Sequence, residues 1–246
     1  MLSALPEELA HLSDRGDGAE RLAGLDFWRG AIAGREAVFV ECGPGKVNAG
    51  LATTLLLDRF GCRALLMCGV AGGLDPALAI GDVVVGSSNL QHDYGLDQEN
   101  GFHVIQPGSR PSLGRIERPG YPLAEPLLAR LRAALAGLAL APLPPEVDVS
   151  CRTPAVRFGT ILTGDRFVNA EATRRRLQDK FAAQAVEMEG AAVAQVAQRW
   201  DSELPVVNVR CLSDLAGRES HLDFRAFLPV AARNASLVAH RLAPAI

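Results

Sequence analysis

Apolar and polar residues alternate along the chain in blocks that predict strands separated by helices. Short, almost continuously apolar runs indicate buried strands, and apolar residues that repeat every three or four positions indicate helices. The predicted strands are Ala37–Glu41, Ala64–Cys68, Asp82–Gly86, Val156–Leu162, Ala185–Met188 and Val206–Cys211, and the predicted helices are Val47–Phe60, Tyr121–Leu138, Ala170–Phe181, Glu189–Trp200 and Asp223–Leu242. This alternation is typical of an α/β fold in which helices cover a largely parallel sheet.

Glycine-rich turns and polar segments separate these elements. The turn Gly43–Val47 precedes the first predicted helix, and Gly69–Gly73 follows a buried strand, where backbone can approach a ligand closely. The polar segment Asn89–Gly120 is predicted to be a loop that serves as a lid or an interface. Asp223 is the predicted N-cap of the closing helix, and the proline-rich stretch Ala141–Glu146 is a connector within one domain spanning residues 1–246.

The composition indicates a globular protein and narrows its partners. Hydrophobic residues make up 48% of the chain, which supplies enough apolar surface for a large core. With 25 Lys+Arg against 28 Asp+Glu the net charge is -3, which argues against a nucleic-acid partner. The sequence has no apolar run of about 18 residues and no cleavable N-terminal signal, so we expect a cytoplasmic protein with no membrane partner.

Two further groups of residues allow a structural and a functional interpretation. The five cysteines contain no CxxC pair and are interpreted as reduced, packed thiols of a cytoplasmic protein, with a catalytic cysteine as the alternative. The basic run Arg174–Arg176 is interpreted as a solvated helix face, with an anion site as the alternative. Neither group is assigned to the candidate site.

Four polar or glycine-rich groups interrupt apolar strands near their ends and form the candidate site. They are Glu7–Glu8, the turn Gly69–Gly73, Glu187–Glu189 and Ser213–Asp214. Buried carboxylates at such positions are costly unless they are paired or used in chemistry. The structural alternative is that Glu187 or Glu189 caps the following helix, because acidic residues favour a helix N-terminus.

Six segments together carry a family resemblance that covers nearly the whole chain. They are Ala4–Glu8, Gly43–Asn48, Gly69–Gly73 followed by Gly81-Asp82, Thr163–Val168, Val186–Gly190, and Val209–Asp214 with Ser220-His-Leu. In order and spacing they resemble the methylthioadenosine/S-adenosylhomocysteine nucleosidases, members of the nucleoside phosphorylase superfamily. The resemblance implies a three-layer α/β/α sandwich around a mixed, partly barrel-like sheet and a homodimer. It also implies a purine nucleoside as the small-molecule substrate, with no metal or cofactor.

The resemblance assigns the departing base to Asp214 and its neighbours. Asp214 matches the general acid that protonates N7 of the purine, and Ser213 matches the residue that holds its carboxyl. A purine anion leaves a sugar poorly, and a proton on N7 withdraws electrons from the breaking bond. An aspartate with an ordinary pKa of about 3.9 is almost fully ionised at neutral pH, so this one must be desolvated. Phe167 and Val168 match the positions that hold the base, Phe167 by stacking.

The resemblance assigns the sugar to a second group of residues. Met188 and Glu189 match the ribose floor, where a carboxylate accepts hydrogen bonds from hydroxyls and favours an oxocarbenium-like transition state. Glu8 and Arg210 match residues that hold the attacking water, with Glu8 as its base, and a structural salt bridge is the alternative role of Arg210. The predicted substrate pocket also contains Glu187, Val70, Ala71 and Gly72.

Water is the predicted nucleophile, because Glu7 and Glu8 lie where related phosphorylases have cationic donors for phosphate. We therefore expect hydrolysis of a 5′-substituted adenosine to adenine and a 5′-substituted ribose, as in methionine salvage. The alternatives are a phosphorylase, a nucleosidase for a futalosine-type or adenosylhopane-type nucleoside, and a non-catalytic nucleoside-binding protein. Two features depart from the family pattern. Val70 stands where many nucleosidases have a serine, and only three residues precede Ala4, so the first strand must be short.

Overall fold

The computed structural model describes residues 1–12, 14–109, 119–217 and 220–246, which form twelve strands and six α-helices. The strands are β1 (Leu2–Ser3), β2 (Asp14–Leu22), β3 (Leu25–Ile32), β4 (Arg35–Glu41), β5 (Leu65–Gly73), β6 (Val83–Gln91), β7 (Gly95–Gln98), β8 (Gly101–Val104), β9 (Tyr121–Pro122), β10 (Val156–Thr163), β11 (Ala185–Glu187) and β12 (Val206–Asp214). The helices are α1 (Pro6–Ala10), α2 (Lys46–Asp58), α3 (Glu125–Leu135), α4 (Glu171–Phe181), α5 (Gly190–Trp200) and α6 (Ser220–Leu242). A short 3-10 helix, Ala243–Ala245, follows α6.

Ten of these strands form one mixed sheet that closes on itself at one end. The order is β11-β10-β6-β12-β5-β1-β4-β3-β2, with β9 paired to β6. Because β11 also pairs with β5, the strands β5, β12, β6, β10 and β11 form a closed barrel. Pairing in the barrel is antiparallel at β6–β12 and β5–β11 and parallel at the other junctions. The predicted mixed, partly barrel-like sheet is confirmed.

Helices cover the sheet on two sides, and each side has its own apolar core. On one side α6 packs on β12 and β5 and buries Ala235 and Val238 in a core shared with α1 and α3. On the other side α2 and α5 pack against each other through small residues such as Ala52 and Ala194. Each large apolar side chain buried in these cores contributes about 1.5–3 kcal/mol. The predicted three-layer α/β/α arrangement is confirmed.

The first strand is short, as the sequence predicts, but it lies in the middle of the sheet. β1 contains only Leu2 and Ser3, and it pairs in parallel with β4 and with β5. Both residues are fully buried, and the Ser3 hydroxyl donates a hydrogen bond to the carbonyl of Cys68 at 2.9 Å. This short strand leads directly into α1, which carries Glu8 to the site.

Two predicted boundaries around β5 and β6 are wrong. Gly69–Gly73, predicted to be a turn, continues strand β5, because its residues pair with β12 and β11. β6 extends to Gln91, and the segment Asn89–Gly120 contains the hairpin β7–β8 where a loop was predicted. Residues 110–118 of that segment lie outside the described residues. Long-range pairing thus extends strands into stretches whose glycine and polar content predicts turns.

Two predicted helix starts are also wrong. Tyr121 belongs to β9, and α3 begins at Glu125. Pro126 fits in the first turn of α3, because backbone N–H groups there have no acceptor within the helix and proline lacks this group. The closing helix begins at Ser220, three residues before the predicted N-cap Asp223. Helix starts at α2 and α5 agree with the prediction to within one residue.

Candidate active site

A cavity of about 190 Å³ lies where strands β5, β11 and β12 end. All twelve residues predicted for the site line it, namely Glu8, Val70, Ala71, Gly72, Phe167, Val168, Glu187, Met188, Glu189, Arg210, Ser213 and Asp214. A larger cleft of about 790 Å³ adjoins it across Arg166, Phe167 and Val168 and contains none of the predicted carboxylates. The smaller cavity is therefore the candidate active site.

Asp214 ends β12 with its carboxyl buried beside the cavity, and only 2% of the residue is exposed. Its Oδ2 accepts a hydrogen bond from the Ser213 hydroxyl at 3.1 Å, and its Oδ1 accepts one from the Ala216 N–H at 2.8 Å. A Cβ at Gly72 would lie 3.1 Å from Oδ1, so glycine leaves room for the carboxyl. The desolvation that the sequence argument requires of this acid is present.

Glu8 lies in the first turn of α1 and is buried against β5. Its Oε2 accepts hydrogen bonds from the N–H groups of Ala4 at 2.8 Å and Leu5 at 2.9 Å, and its Oε1 accepts one from the Val70 N–H at 2.9 Å. Burial raises the pKa of Glu8, although the charge of Arg210 and these donors oppose the rise. Although the first strand is short, the Glu8 carboxylate is held in place by these three hydrogen bonds.

Glu7 does not belong to the site, which corrects the sequence argument. Its side chain is exposed, and it does not line the cavity that Glu8 lines. Neighbouring residues of a helix point in different directions, so only one of two consecutive acids in α1 faces the sheet. The acidity of the cavity comes instead from Glu8 with Glu187, Glu189 and Asp214.

Glu187 connects the end of β11 to the start of α5. Its carboxylate accepts hydrogen bonds from the Thr163 hydroxyl and from the N–H groups of Glu189 at 3.0 Å and Gly190 at 2.8 Å. It also forms an ion pair with Arg210. Glu187 therefore caps the N-terminus of α5, which is the structural alternative considered from the sequence.

Glu189 has a different set of partners, although it lies only two residues further on. Its side chain does not cap α5, and its Oε1 accepts a hydrogen bond from the Gly45 N–H at 2.8 Å. Oε2 lies 3.2 Å from Nη2 of Arg210. Burial, helped by the charge of Glu187, raises the pKa of Glu189 to about 7, while Arg210 opposes the rise. This carboxyl therefore titrates near neutral pH.

Arg210 is a fully buried cation on β12 whose guanidinium is hydrogen bonded on several sides. Nη2 pairs with Glu187 and Glu189, and Nε donates to Oδ1 of Asn208 at 2.9 Å. Burial lowers the pKa of Arg210, but the two carboxylates outweigh it and raise that pKa above its ordinary value. The salt bridge considered as an alternative role is thus observed, and the water-holding role of Arg210 stays a prediction.

Phe167 and Val168 follow β10 and form the most open wall of the cavity. Val168 is buried in an apolar core with Leu162 and Leu177. Phe167 is 49% exposed, and its ring meets the ring of Phe224 edge to face, with centroids 5.9 Å apart at 88°. One residue of the pair is therefore anchored in the core while the other presents an aromatic ring at the mouth of the cavity.

Six further residues line the cavity but were not assigned to the site from the sequence. They are Ala4, Leu5, Pro44, Arg166, Val186 and Phe224. Phe224 was predicted to belong to the core face of the closing helix, and it packs both on that core and on Phe167. Pro44 lies in the glycine-rich turn. Because Gly43–Asn48 is one of the six family segments, the sequence did contain a signal that this turn belongs to the site.

The cysteines are free thiols, most of them deeply packed. Cys42, Cys68 and Cys211 are buried, Cys62 is partly buried, and Cys151 is exposed, so the packed interpretation fails for Cys151. Burial raises the pKa of Cys42 to about 12 and also raises the pKa values of Cys68 and Cys211. Neutral thiols are poor nucleophiles, so these three cysteines do not support the catalytic alternative.

Other surface and compositional features bear less on the site. Arg174, predicted to lie on a solvated face, is only 16% exposed in its side chain and donates to the carbonyl of Gly73 at 3.2 Å. Among the described residues, no three His, Cys, Asp or Glu side chains are grouped as a metal ion would require. In that same part of the chain, no helix combines the length and the apolar character needed to cross a membrane.

Comparison with known proteins agrees with this fold. Residues 1–244 match the family model described as the Phosphorylase superfamily. A 5′-methylthioadenosine/S-adenosylhomocysteine nucleosidase of Mycobacterium tuberculosis is 42% identical over 248 residues, covering 100% of this chain and 96% of that protein. The chain therefore belongs to the phosphorylase superfamily and, within it, to the 5′-methylthioadenosine/S-adenosylhomocysteine nucleosidase family. The resemblance found in the sequence is confirmed.

Solved structures of related proteins have the same fold over the full chain. The nucleosidase of Helicobacter pylori in complex with butyl-thio-DADMe-Immucillin-A has a TM-score of 0.82 at 27% identity, covering 100% of this chain and 97% of that one. The futalosine hydrolase of the same species has a TM-score of 0.80 at 28% identity, covering 100% and 96%. The fold thus accommodates more than one nucleoside-hydrolysing enzyme.

Proposed function

We propose that the chain hydrolyses the N-glycosidic bond of a 5′-substituted adenosine of the methylthioadenosine or S-adenosylhomocysteine type. The products are adenine and a 5′-substituted ribose. The observation that carries the proposal is that Asp214, Glu8 and Glu189 line one buried cavity. Membership of the nucleosidase family supports the same substrate class.

Asp214 acts on the departing base. As the bond between C1′ and N9 breaks, its electron pair passes to the purine, and the Asp214 carboxyl delivers a proton to N7. The Ser213 hydroxyl holds that carboxyl through its 3.1 Å hydrogen bond, and the ring of Phe167 stacks on the base. A positioned general acid contributes about 10²–10⁴-fold to the rate.

Glu189 and Glu8 act on the sugar and the water. Positive charge develops on the ribosyl group as the base departs, and the Glu189 carboxylate stabilises it. Glu8 accepts a proton from the water whose oxygen forms the new bond to C1′. The proton gained by Glu8 and the proton lost by Asp214 are balanced through solvent, so the net reaction adds one water across the bond.

The charges of the cavity favour water over phosphate as the nucleophile. Arg210 is already paired with Glu187 and Glu189, so its charge is balanced, and Arg166 is an exposed residue at the rim. Two like charges 4 Å apart repel each other by about 4 kcal/mol at the effective dielectric of a protein surface. A phosphate dianion beside Glu8 would therefore bind poorly.

A panel of nucleosides tests this proposal directly. The purified protein is incubated with methylthioadenosine, S-adenosylhomocysteine, adenosine and inosine, with and without inorganic phosphate, and free base is measured by chromatography. We expect adenine from the 5′-substituted adenosines at the same rate with and without phosphate. Base release that requires phosphate would identify a phosphorylase, and tight binding without release would identify a nucleoside-binding protein.

A second candidate is hydrolysis of a futalosine-type nucleoside, which the structural similarity to futalosine hydrolase favours. The base side of the cavity has an exposed aromatic ring, so it does not by itself select one purine. Adding futalosine to the panel separates the two. The nucleoside that is hydrolysed with the higher kcat/KM is then assigned as the substrate. An adenosylhopane-type nucleoside can be added to the same panel.

We further propose that the chain works as a homodimer. Large apolar side chains are exposed on α2 and near β7–β8, including Val47 at 83%, with Leu51, Tyr94 and Phe102. Exposed apolar patches of this kind mark interfaces, and a second copy would cover them. Light scattering should give twice the chain mass of 26.1 kDa, and a Val47→Glu, Leu51→Glu variant should give the single mass. A single mass for the unchanged protein at micromolar concentration would rule the dimer out.

We also assign the reaction to methionine salvage in the cytoplasm. The five free cysteines fit a reducing compartment. Cell fractionation should find the protein with soluble markers, and a strain without the gene should accumulate the 5′-substituted adenosine. Recovery outside the cytoplasm, or an unchanged nucleoside level, would contradict this assignment.

A further inference from the structure

The glycine-rich turn at Gly43–Lys46 has no role in the mechanism above, yet it contacts the sugar-side carboxylate. The N–H of Gly45 donates to Oε1 of Glu189 at 2.8 Å. Gly45 has φ of +102°, a conformation that favours glycine, and a Cβ there would lie 3.3 Å from Oδ1 of Asp165. The turn therefore has to be held in one conformation for this hydrogen bond to form.

Three charged residues fix the turn from outside the cavity. Nζ of Lys46 lies 2.7 Å from Oδ1 of Asp93, and the Lys46 N–H donates to Oδ1 of Asp165 at 2.9 Å. The N–H of Asp165 in turn donates to Oδ2 of Asp93 at 2.8 Å. The Lys46–Asp93–Asp165 clamp thus joins the turn, the end of β6 and the segment that carries Phe167.

The Lys46–Asp93 pair is the buried part of the clamp, whereas the Asp165 side chain is 48% exposed. The side chains of Lys46 and Asp93 are each 18% exposed, whereas the surface pair Arg21–Asp26 is 69% and 38% exposed. Burial raises the pKa of Asp93, but the hydrogen bonds from Lys46 and from the Asp165 N–H outweigh it and hold that pKa below its ordinary value. Asp93 therefore stays ionised at neutral pH, and partly buried charges interact more strongly than exposed ones.

We propose that Lys46 is a positioning residue, which with Asp93 and Asp165 holds the Gly45 N–H on Glu189 and fixes the segment leading to Phe167. Lys46 does not line the cavity, so it acts through these neighbours and does not touch substrate. This inference rests on the proposed function, because it assigns the clamp to the carboxylate that faces the sugar.

The pKa of Glu189 should depend on the clamp. The groups that face it are Arg210 on β12, Glu187 on β11, Glu8 on α1 and Cys42 before the turn, together with the Gly45 N–H. Among these groups, only the Gly45 N–H belongs to the turn that the clamp contacts through Lys46. Loss of that donor destabilises the carboxylate form, so the pKa of Glu189 rises. As the pH is lowered, activity that needs the anion is then lost at a higher pH than in the unchanged protein.

The test compares Lys46→Met, Lys46→Arg and Asp93→Asn, with Arg21→Met as a control that removes an exposed ion pair far from the site. We expect Lys46→Met and Asp93→Asn each to lower kcat/KM about tenfold, mainly through kcat, because small displacements of catalytic groups reduce rates strongly. The acid limb of the pH–rate profile should move to higher pH in both. Lys46→Arg should retain most of the activity, and a variant that combines Lys46→Met with Asp93→Asn should lose no more than either single variant.

Several outcomes would overturn the inference. The first is a folded Lys46→Met variant whose kcat and acid limb of the pH–rate profile are both unchanged. If Lys46→Met does not fold, the same result for Asp93→Asn would overturn the inference. If the unchanged protein releases no base from any nucleoside, the proposed function fails separately. The Glu189 carboxyl is then followed by carbon-13 NMR, assigned with Glu189→Gln, and an identical titration in Lys46→Met would refute the clamp.

Discussion

The two sides of the cavity are built differently. On the proposed sugar side, Glu8, Glu189 and Arg210 are all buried and are linked by hydrogen bonds and ion pairs to each other or to backbone N–H groups. On the proposed base side, Asp214 is equally buried, but Phe167 is half exposed, and its ring contact is with another aromatic ring.

This difference corresponds to what each side has to do. Charge develops on the sugar during the reaction, and fixed groups stabilise it best when they need no rearrangement. The base has to enter and leave, so its wall can be open except at the acid. Changes to the buried ion pairs of the sugar side should therefore affect chemistry and stability, and changes to the open wall should affect binding alone.

Asp214→Asn tests whether the buried acid of the base side carries the chemistry. Asparagine keeps the shape of the side chain but cannot deliver the proton, so we expect kcat for adenine release to fall about 10³-fold. The melting temperature should change by less than about 4 °C, which corresponds to about 1 kcal/mol for a domain of this size. Adenine release and thermal unfolding are the two measurements, and turnover within tenfold of the unchanged protein would refute the acid role.

Arg210→Met tests how strongly the sugar side depends on charge balance. The substitution leaves Glu187 and Glu189 without their common cation in a buried place, which should cost about 3–5 kcal/mol of unfolding free energy. Chemical denaturation measures this loss. Arg21→Met removes an exposed pair and should cost at most about 1 kcal/mol. Equal stability of the two variants would mean that the sugar side is not held by its ion pairs.

Glu189→Gln separates the charge of the sugar side from its shape. The pKa of Glu189 is about 7, so below that pH the unchanged protein progressively protonates this carboxyl and loses the anion that the ribosyl cation needs. We expect kcat to rise with pH through about 7 in the unchanged protein. In Glu189→Gln kcat should be about 10²-fold lower, and this acid limb should disappear. An acid limb of unchanged position in the variant would assign it to another group, such as Glu8.

The elements that carry the site follow closely from the sequence. Strands β10, β11 and β12 and helices α2, α4 and α5 lie near their predicted bounds, because continuous apolar runs and helical spacing report burial directly. The motifs of β5 and β12 come at the ends of parallel neighbours and therefore meet, whereas Glu187–Glu189 joins them because the short strand β11 pairs antiparallel with the end of β5. The roles of the residues stay predictions that the variants above test.

The remaining features depend on contacts between distant parts of the chain. The hairpin β2–β3 was not predicted, because Asp14–Leu22 is a charged, glycine-containing stretch at the edge of the sheet, without an apolar run. The outward direction of Glu7 depends on how α1 docks, which no local pattern specifies. Likewise, the orientation of Glu189 toward Gly45 and Arg210 depends on partners that lie far away in the sequence, whereas Glu187 caps α5 through the nearby N–H groups of Glu189 and Gly190.

Phe167→Ala gives the smallest expected effect and tests the open wall itself. Removing the ring takes away a stacking contact worth about 0.5–1.5 kcal/mol, so KM should rise about fivefold while kcat stays within about twofold. Trp200→Ala is the matched control, since that ring has a similar exposure of 51% but lines neither the cavity nor the adjoining cleft. It should leave both constants of the reaction unchanged. If Phe167→Ala instead lowered kcat tenfold with KM unchanged, the ring would be acting in the transition state, and the two sides of the cavity would not divide binding from chemistry.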